Sequence, residues 1–207
     1  ERDFNKAIEE KALIDYKEIF GNDNPVRMEI GCGKGNFACG MSEKYPDVNF
    51  VAVEKVSDVC CIALEKAKSR AEQRQRDNLR FIIGDAKNLS ENVKPASLDC
   101  IYLNFSDPWP KKGYAKRRLT HRRYLSVYMN LLRDGGVLRF KTDNEALFDF
   151  ALEELEALGK TPDFDIKAAK SKLGYKSLTD KDCALVAIGQ GKLLVTPLDM
   201  LLICSTV

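Results

Sequence analysis

The segment NFSDPWPKKGYAKRRLTHRR, at positions 104–123, combines a carboxylate, a tryptophan and a run of basic residues. Asp107 precedes Pro108, whose ring restricts the local backbone, and Trp109 either stacks on a planar base or supports the loop as a buried wedge. The basic residues attract phosphates and have no acidic neighbour between positions 111 and 123: Lys111, Lys112, Lys116, Arg117, Arg118, Arg122 and Arg123. This combination indicates chemistry on a base of a nucleic acid.

The composition is that of one globular domain. The chain has 207 residues, of which 44% are apolar and 31% charged, and its formal net charge is only +2, so the positive field of the basic run is local. The chain has seven cysteines without CxxC spacing and a single histidine, His121. We therefore expect the protein to work in a reducing cytosol and to hold no metal ion. No apolar run approaches the ~20 residues that span a bilayer, so a soluble protein is expected. We expect it to be cytoplasmic and to be a monomer or a homodimer.

Strand-like and helix-like segments alternate along the chain. Strands are predicted at 26–30, 49–54, 79–83, 97–105 and 137–142, and helices at 36–45, 57–76, 121–133 and 145–158. This βαβ pattern predicts a mostly parallel sheet with helices on both faces and ligands at the carboxyl ends of the strands.

The ends of the helix at 121–133 and the last part of the chain give further expectations. Thr120 is placed to cap this helix, His121 to cap or to face phosphate, and Gly135-Gly136 to end the helix. After residue 160 the short apolar runs CALVAIG, KLLVTP and DMLLICSTV predict a terminal β-hairpin that closes the sheet.

The segment RMEIGCGKGNF predicts a cofactor turn. Gly31, Gly33 and Gly35 follow a strand and precede a helix, but their spacing is not the GxGxxG of dinucleotide-binding proteins. Glu29 would repel a pyrophosphate and attract a cation, which favours S-adenosylmethionine with its sulfonium and ammonium groups. Glu54 ends the second strand, where it can accept the ribose hydroxyls, and Asp85 follows the third, where it can accept the adenine amino group. For both of these residues the alternative is ordinary turn chemistry.

The fourth and fifth strands bring a second group of polar residues to the same edge. N7 of guanine carries a free lone pair and no proton, so its methylation needs orientation and charge balance more than a strong base. Asp107 is the candidate for this role, either by accepting hydrogen bonds from guanine or by offsetting the charge that forms on the ring. Thr142, Asp143 and Asn144 lie at the end of the fifth strand, where Asp143 can orient the substrate, cap the next helix, or do both.

The chain resembles the bacterial tRNA (guanine-N7-)-methyltransferases, which modify the guanosine at position 46. The resemblance runs from about Phe20 to about Phe150 through FGNDNPVRMEIGCGKGNF, FVAVEK, YLNFSDPWPKKGYAKRRLT and GGVLRFKTDN. It implies a Rossmann-like class I methyltransferase fold that uses S-adenosylmethionine, releases S-adenosylhomocysteine and acts on tRNA. By the same resemblance the donor is bound by Glu29, Glu54, Asp85 and Asp107, Asp107 is catalytic, and Lys111 and Asp143 contact the substrate.

The resemblance also suggests how the single methyltransferase domain is divided. We expect an N-terminal helical extension at 1–24, a donor-binding core at 25–160 and an atypical C-terminal segment at 161–207, which lacks the T-x-Y-E segment typical of the family. Two other functions remain open at this point. One is an adenine-N6 methyltransferase, against which the extra residues of NFSDPW argue, and the other is a non-catalytic RNA-binding protein on the same fold.

Overall fold

A computed structural model describes residues 13–74 and 77–160, and the backbone of four short strands after residue 160. The helices are α1 (Tyr16–Phe20), α2 (Asn36–Lys44), α3 (Ser57–Arg74), α4 (Leu89–Asn92), α5 (Arg122–Leu131) and α6 (Glu145–Glu156), with 3-10 turns at Ala86–Asn88 and Lys112–Arg117. The strands are β1 (Val26–Ile30), β2 (Asn49–Glu54), β3 (Leu79–Ile83), β4 (Leu98–Asn104), β5 (Leu132–Lys141), β6 (Asp163–Phe164), β7 (Lys172–Leu173), β8 (Leu193–Leu194) and β9 (Leu201–Ser205).

The main sheet has the strand order β3-β2-β1-β4-β5-β9-β6. Its first five strands are parallel, and the chain reverses its direction of winding between β1 and β4, which is where doubly wound sheets open a ligand crevice. The prediction of a Rossmann-like, mostly parallel sheet is therefore confirmed.

The end of the sheet differs in detail from the predicted hairpin. Strand β9 extends the sheet and pairs antiparallel with β5 and β6, and β6 forms the edge. Strand β8 pairs instead with β7, in a separate two-stranded sheet. The partners are distant in sequence, so a local hairpin signal could not identify them. The segments 1–12 and CALVAIG, about which the sequence also made predictions, lie outside the described residues.

The main core lies between the sheet and the helix pair α5 and α6. Helix α5 presents Leu125, Tyr128 and Leu131 to it, and β4 contributes Ile101 and Leu103; all five are at most 1% exposed. Helix α2 covers the other face, where Phe37 packs edge-on against Tyr102 at 5.0 Å. Burial on both faces explains why β2 and β4 are nearly continuous apolar runs.

The two ends of α5 correct the predicted boundaries. His121, and not Thr120, is the N-cap, because its ring nitrogen Nδ1 accepts a hydrogen bond from the backbone N–H of Arg123 at 3.2 Å. Thr120 is only 2% exposed and packs inward. The helix ends at Leu131, and Gly135-Gly136 lie in a bulge of β5 where the register with β4 shifts.

Among the described residues, no helix combines the length and the apolar character that crossing a bilayer requires.

Candidate active site

The carboxyl edge of the parallel sheet gathers the polar residues that the sequence singles out. Parallel strands in neighbouring positions end on the same side, so side chains far apart in sequence come to one edge. These side chains are Glu29 in β1, Glu54 at the end of β2, Asp85 after β3, Asn104 and Asp107 at and after the end of β4, and Asp143 after β5.

Glu29 is a buried carboxylate with one oxygen that is free to accept a hydrogen bond. It is 5% exposed, and its Oε1 accepts a hydrogen bond from the amide of Asn104 at 3.0 Å, whereas its Oε2 is buried without a partner among the described residues. Burial raises the pKa of Glu29 to about 7, although the hydrogen bond from Asn104 and the nearby backbone N–H of Ala38 oppose this shift. A buried acceptor of this kind fits a cationic ligand group.

The turn after β1 needs its glycines. Gly31, Gly33 and Gly35 all have positive φ, at 77°, 54° and 70°. A Cβ on Gly35 would lie 2.8 Å from the Cβ of Ala63, so the turn packs directly on α3. Lys66 of α3 donates to the carbonyl of Lys34 at 2.6 Å and holds the other side of the turn.

Glu54 and Asp85 make the turn hydrogen bonds that the alternative interpretation expected. Glu54 accepts from the backbone N–H of Gly33 at 2.9 Å and of Val56 at 3.0 Å. Asp85 caps the 3-10 turn at Ala86–Asn88 and pairs with Lys55 at 2.9 Å. Burial tends to raise the pKa of Asp85, but the bonds from Lys55 and the backbone of Lys87 lower it overall. A carboxylate oxygen can accept more than one hydrogen bond, so these contacts leave both side chains able to bind a ligand.

The corner that carries Asp107 is strained on both sides. Phe105 and Trp109 have φ values of 49° and 42°, which side chains other than glycine rarely adopt. Asp107 is exposed between them. Phe105 is 54% exposed, and the ammonium of Lys141 lies 5.0 Å from its ring centre. Strain of this kind is typical of functional loops.

Trp109 is half-buried and contacts side chains of the segment 111–123, which we call the basic loop. Arg117 lies over its ring at 5.0 Å and over that of Tyr114 at 4.5 Å, and the two rings meet edge-on at 5.9 Å. These contacts fit the loop-supporting interpretation of Trp109.

The basic residues of this loop divide into two groups. Lys111, Lys112 and Lys116 are exposed and have no partner among the described residues. Arg118 and Arg122, in contrast, are bound by other parts of the chain, although the Arg122 side chain is 52% exposed. Arg118 donates to backbone carbonyls of the Asp107 corner, and Arg122 donates through Nε and Nη2 to Glu154, at 3.0 Å each.

Glu154 explains the position of Arg122 at the start of a helix. Its carboxylate is 6% exposed and also accepts from the backbone N–H of Arg122 at 2.6 Å. The bond from the Arg122 side chain lowers the pKa of Glu154. Burial, together with Arg123, Arg122 and Lys116, lowers the pKa of His121 against the opposing effect of Glu154, which agrees with a neutral ring that accepts from Arg123.

The start of α6 settles one alternative for Asp143. Asn144 is the N-cap, since its Oδ1 accepts from the backbone N–H of Leu147 at 2.8 Å. Thr142 accepts from the N–H of Asn144 at 3.1 Å. Asp143 is exposed and does not cap the helix.

Several structural roles were missing from the sequence prediction. Lys66 and Glu154 carried no motif, and their partners lie at least 30 residues away along the chain. Phe105 itself occupies a left-handed position where glycine is normally found, so its backbone strain left no signal in the sequence either.

Two other kinds of site are not found at this edge. Within residues 13–74 and 77–160, no cluster of three or more potential ligands is arranged to hold a metal ion. A cavity of about 290 Å³ lies between α2, α3 and the start of β3, lined in part by Cys39, Leu64 and Leu79. It lies toward the amino end of β3, away from the carboxylates.

A doubly wound sheet with a glycine-rich turn after β1 and acidic side chains at successive strand ends defines a class I methyltransferase. The family model Methyltransf_4, described as "Putative methyltransferase", matches residues 23–182. A tRNA (guanine-N(7)-)-methyltransferase of Mesoplasma florum is 42% identical over 176 residues, which cover 80% of this chain and 79% of that protein. The chain therefore belongs to the tRNA (guanine-N7-)-methyltransferase family.

Other relatives agree with this assignment. The enzyme of the same name from Bacillus subtilis is 36% identical, over 85% of this chain and 83% of its own length. That of Listeria monocytogenes is 46% identical over 66% of this chain, and the chain spans 62% of that relative.

Solved structures support the fold. An antibiotic-related methyltransferase has a TM-score of 0.54 at 19% identity, with 74% of this chain and 79% of that chain covered. The [4+2]-cyclase SpnF has a TM-score of 0.51 at 18% identity, with 68% and 54% covered. Since these two proteins are named for different reactions, this likeness concerns the fold alone.

Proposed function

We propose that this chain transfers a methyl group from S-adenosylmethionine to N7 of guanine 46 in tRNA, leaving 7-methylguanosine and S-adenosylhomocysteine. The observation that carries the proposal is a buried carboxylate with an unused oxygen, Glu29, at the same sheet edge as the exposed Asp107 and its lysine-rich loop. The names of the relatives support the same reaction. We place this reaction in the cytoplasm because tRNA is its substrate.

The donor would be held by the ends of β1, β2 and β3. Glu29 would accept from the ammonium group through its unpaired oxygen, Glu54 would accept the ribose hydroxyls, and Asp85 would accept the adenine amino group. The positive φ angles of Gly31, Gly33 and Gly35 support the proposal, because a turn without Cβ atoms admits a ligand close to the backbone. When bound, the donor supplies an electrophilic methyl group on a sulfonium.

Asp107 would hold the guanine. The lone pair of N7 attacks without prior loss of a proton, so the protein has to orient the base and balance the charge that develops on it. Asp107 does this by accepting from the N1 and N2 donors or by lying near the charged ring. Asp143, which the cap at Asn144 leaves unused, would contact the substrate from the end of β5.

The tRNA backbone would lie against the exposed part of the basic loop. Lys111, Lys112 and Lys116 are the strongest candidates, since their ammonium groups have no partner among the described residues. Arg117 is exposed as well and stacks on aromatic rings, which leaves its charge available to a phosphate. We also propose a single domain whose donor-binding core is residues 25–160.

The decisive experiment is to incubate the protein with labelled donor and unmodified tRNA, and to locate the label by nuclease digestion and mass spectrometry. We expect 7-methylguanosine at position 46. Label on adenine N6 would support the adenine methyltransferase instead. Binding of tRNA in calorimetry without binding of the donor would support a non-catalytic RNA-binding protein.

The role of Asp107 has its own test. Asp107→Asn should lower kcat by about 10²–10³-fold and leave the Kd for tRNA near that of the wild type, because the lost interaction strengthens only as charge forms on the base. Asp47→Asn makes the same chemical change at an exposed position before β2, at the opposite edge of the sheet. Full turnover by Asp107→Asn would refute this role.

A further inference from the structure

Arg118 is directed into the protein and not toward solvent. Its Nε donates to the carbonyl of Pro108 at 2.9 Å and its Nη2 to the carbonyl of Trp109 at 3.1 Å. Its guanidinium carbon lies 4.3 Å from the ring centre of Phe150, on α6. The side chain thus connects the corner that follows Asp107 to a helix of the core.

The neighbouring arginine behaves differently. Arg117 is exposed and lies over the rings of Trp109 and Tyr114. Arg118 is half-buried, and two of its donor groups are occupied by backbone carbonyls. Adjacent residues of the same type therefore have separate tasks, which the sequence motif alone does not reveal.

The contacts of Arg118 fall where the backbone is strained. Trp109 has a φ of 42°, and such a conformation persists only when surrounding contacts hold it. Arg118 binds the carbonyl of this residue and that of Pro108, which directly follows Asp107. A planar guanidinium donates to two acceptors at once, and a lysine ammonium does not reproduce that geometry together with stacking on a ring.

Helix α6 anchors the basic loop to the main core. Phe150 packs against the main core, and one turn further along Glu154 binds Arg122, which begins α5. The basic loop is thus attached to the same helix on both sides of Thr120. Since α6 starts at Asn144, next to Asp143, the same contacts set the position of Asp107 relative to the end of β5.

We infer that Arg118 is a positioning residue, which holds the carboxylate of Asp107 in place through the Pro108 and Trp109 carbonyls and does not bind the RNA backbone. The effect on turnover rests on the proposed function, whereas the effect on the corner does not.

The first test needs no enzymatic activity. Trp109 is the only tryptophan among seven tyrosines, so fluorescence excited at the long-wavelength edge, where tyrosine does not absorb, reports on the corner alone. In Arg118→Lys we expect a red shift of the emission and a larger acrylamide quenching constant, and the same changes to a smaller degree in Phe150→Leu. The matched control is Arg133→Lys, since Arg133 pairs with Asp99 near the amino end of β4, and it should match the wild type. Unchanged fluorescence in Arg118→Lys would overturn the inference.

The second test separates positioning from phosphate binding. Arg118→Lys should lower kcat about tenfold or more, because a lysine does not reproduce the two bonds to the corner. Arg118→Gln also removes the positive charge, yet the Kd for tRNA and its dependence on salt should stay near wild-type values, whereas a phosphate ligand would lose affinity and salt dependence. Lys116→Ala should weaken tRNA binding and reduce the salt slope by about one. The double variant Arg118→Lys/Phe150→Leu should be no slower than Arg118→Lys, because the two side chains act as a unit.

The outcomes keep the two proposals apart. A weaker Kd and a flatter salt slope in Arg118→Gln would identify a phosphate contact and refute the inference. A wild-type protein that methylates no tRNA would refute the proposed function, and the fluorescence of Arg118→Lys would still decide whether Arg118 holds the corner.

Discussion

The substitution Glu29→Gln should weaken donor binding and stabilise the ligand-free fold. Burial brings the pKa of Glu29 to about 7, so about half of the protein carries the ionised side chain at pH 7 and about one tenth at pH 6. If the ionised form binds the donor ammonium, the Kd for S-adenosylmethionine should rise about fivefold from pH 7 to pH 6, or about 1 kcal/mol. An α-amino group stays largely protonated in this range, so the donor itself contributes little.

The effect on stability has the opposite sign. Between its ordinary value of 4.5 and a pKa of about 7, Glu29 keeps a proton in the folded state that it releases on unfolding. The free energy of unfolding therefore falls as the pH rises through this range, by up to about 3 kcal/mol from this residue. Glutamine still accepts from Asn104 but carries no charge, so Glu29→Gln should remove this fall and be more stable than the wild type at pH 8.

Isothermal titration at pH 6 and pH 7 measures the first effect, and urea unfolding of the ligand-free protein between pH 5 and pH 8 measures the second. The control Glu91→Gln makes the same change at an exposed position of α4 and should alter neither quantity. A wild-type Kd that is equal at pH 6 and pH 7 would refute the reasoning for Glu29. So would a Glu29→Gln protein that is less stable than the wild type at pH 8.

Two further substitutions test how the site is held. Gly35→Ala should lower the free energy of unfolding by about 2 kcal/mol more than Gly33→Ala in urea titrations. Both substitutions strain a positive φ, but only the added Cβ at Gly35 meets the Cβ of Ala63, at 2.8 Å. Equal losses in the two variants would contradict this packing. Glu154→Gln should lower the thermal midpoint at pH 7 by about 2–4 °C, through weaker bonds to Arg122. Because Arg122 lowers the pKa of Glu154, the stabilisation by this carboxylate is present above the pKa of the unfolded state and is lost as the pH falls through the pKa of the folded state. If the difference in thermal midpoint between the wild type and Glu154→Gln did not become smaller in acid, this would contradict a stabilising ion pair with Arg122.

The sequence was a good guide to the elements and to the edge at which ligands bind. Strands β1, β2 and β3 begin and end where their apolar runs do, and α2 and α6 begin at their predicted first residues. These features depend on neighbours in sequence: burial on both faces makes a continuous apolar strand, and an amphipathic stripe makes a surface helix. The parallel pattern then places Glu29, Glu54 and Asp85 at one edge, whatever the details of packing.

Contacts between distant segments decided the rest. Arg118 donates to a strained corner and Arg122 to α6, contacts that no local pattern indicates, and burial gave Glu29 its shifted pKa. A sequence states which charges a chain carries, and for this chain that was enough to indicate a donor site and an RNA surface. Which charges remain free depends on what each side chain meets after folding, because desolvation and hydrogen bonding act over a few ångströms of space and not along the chain.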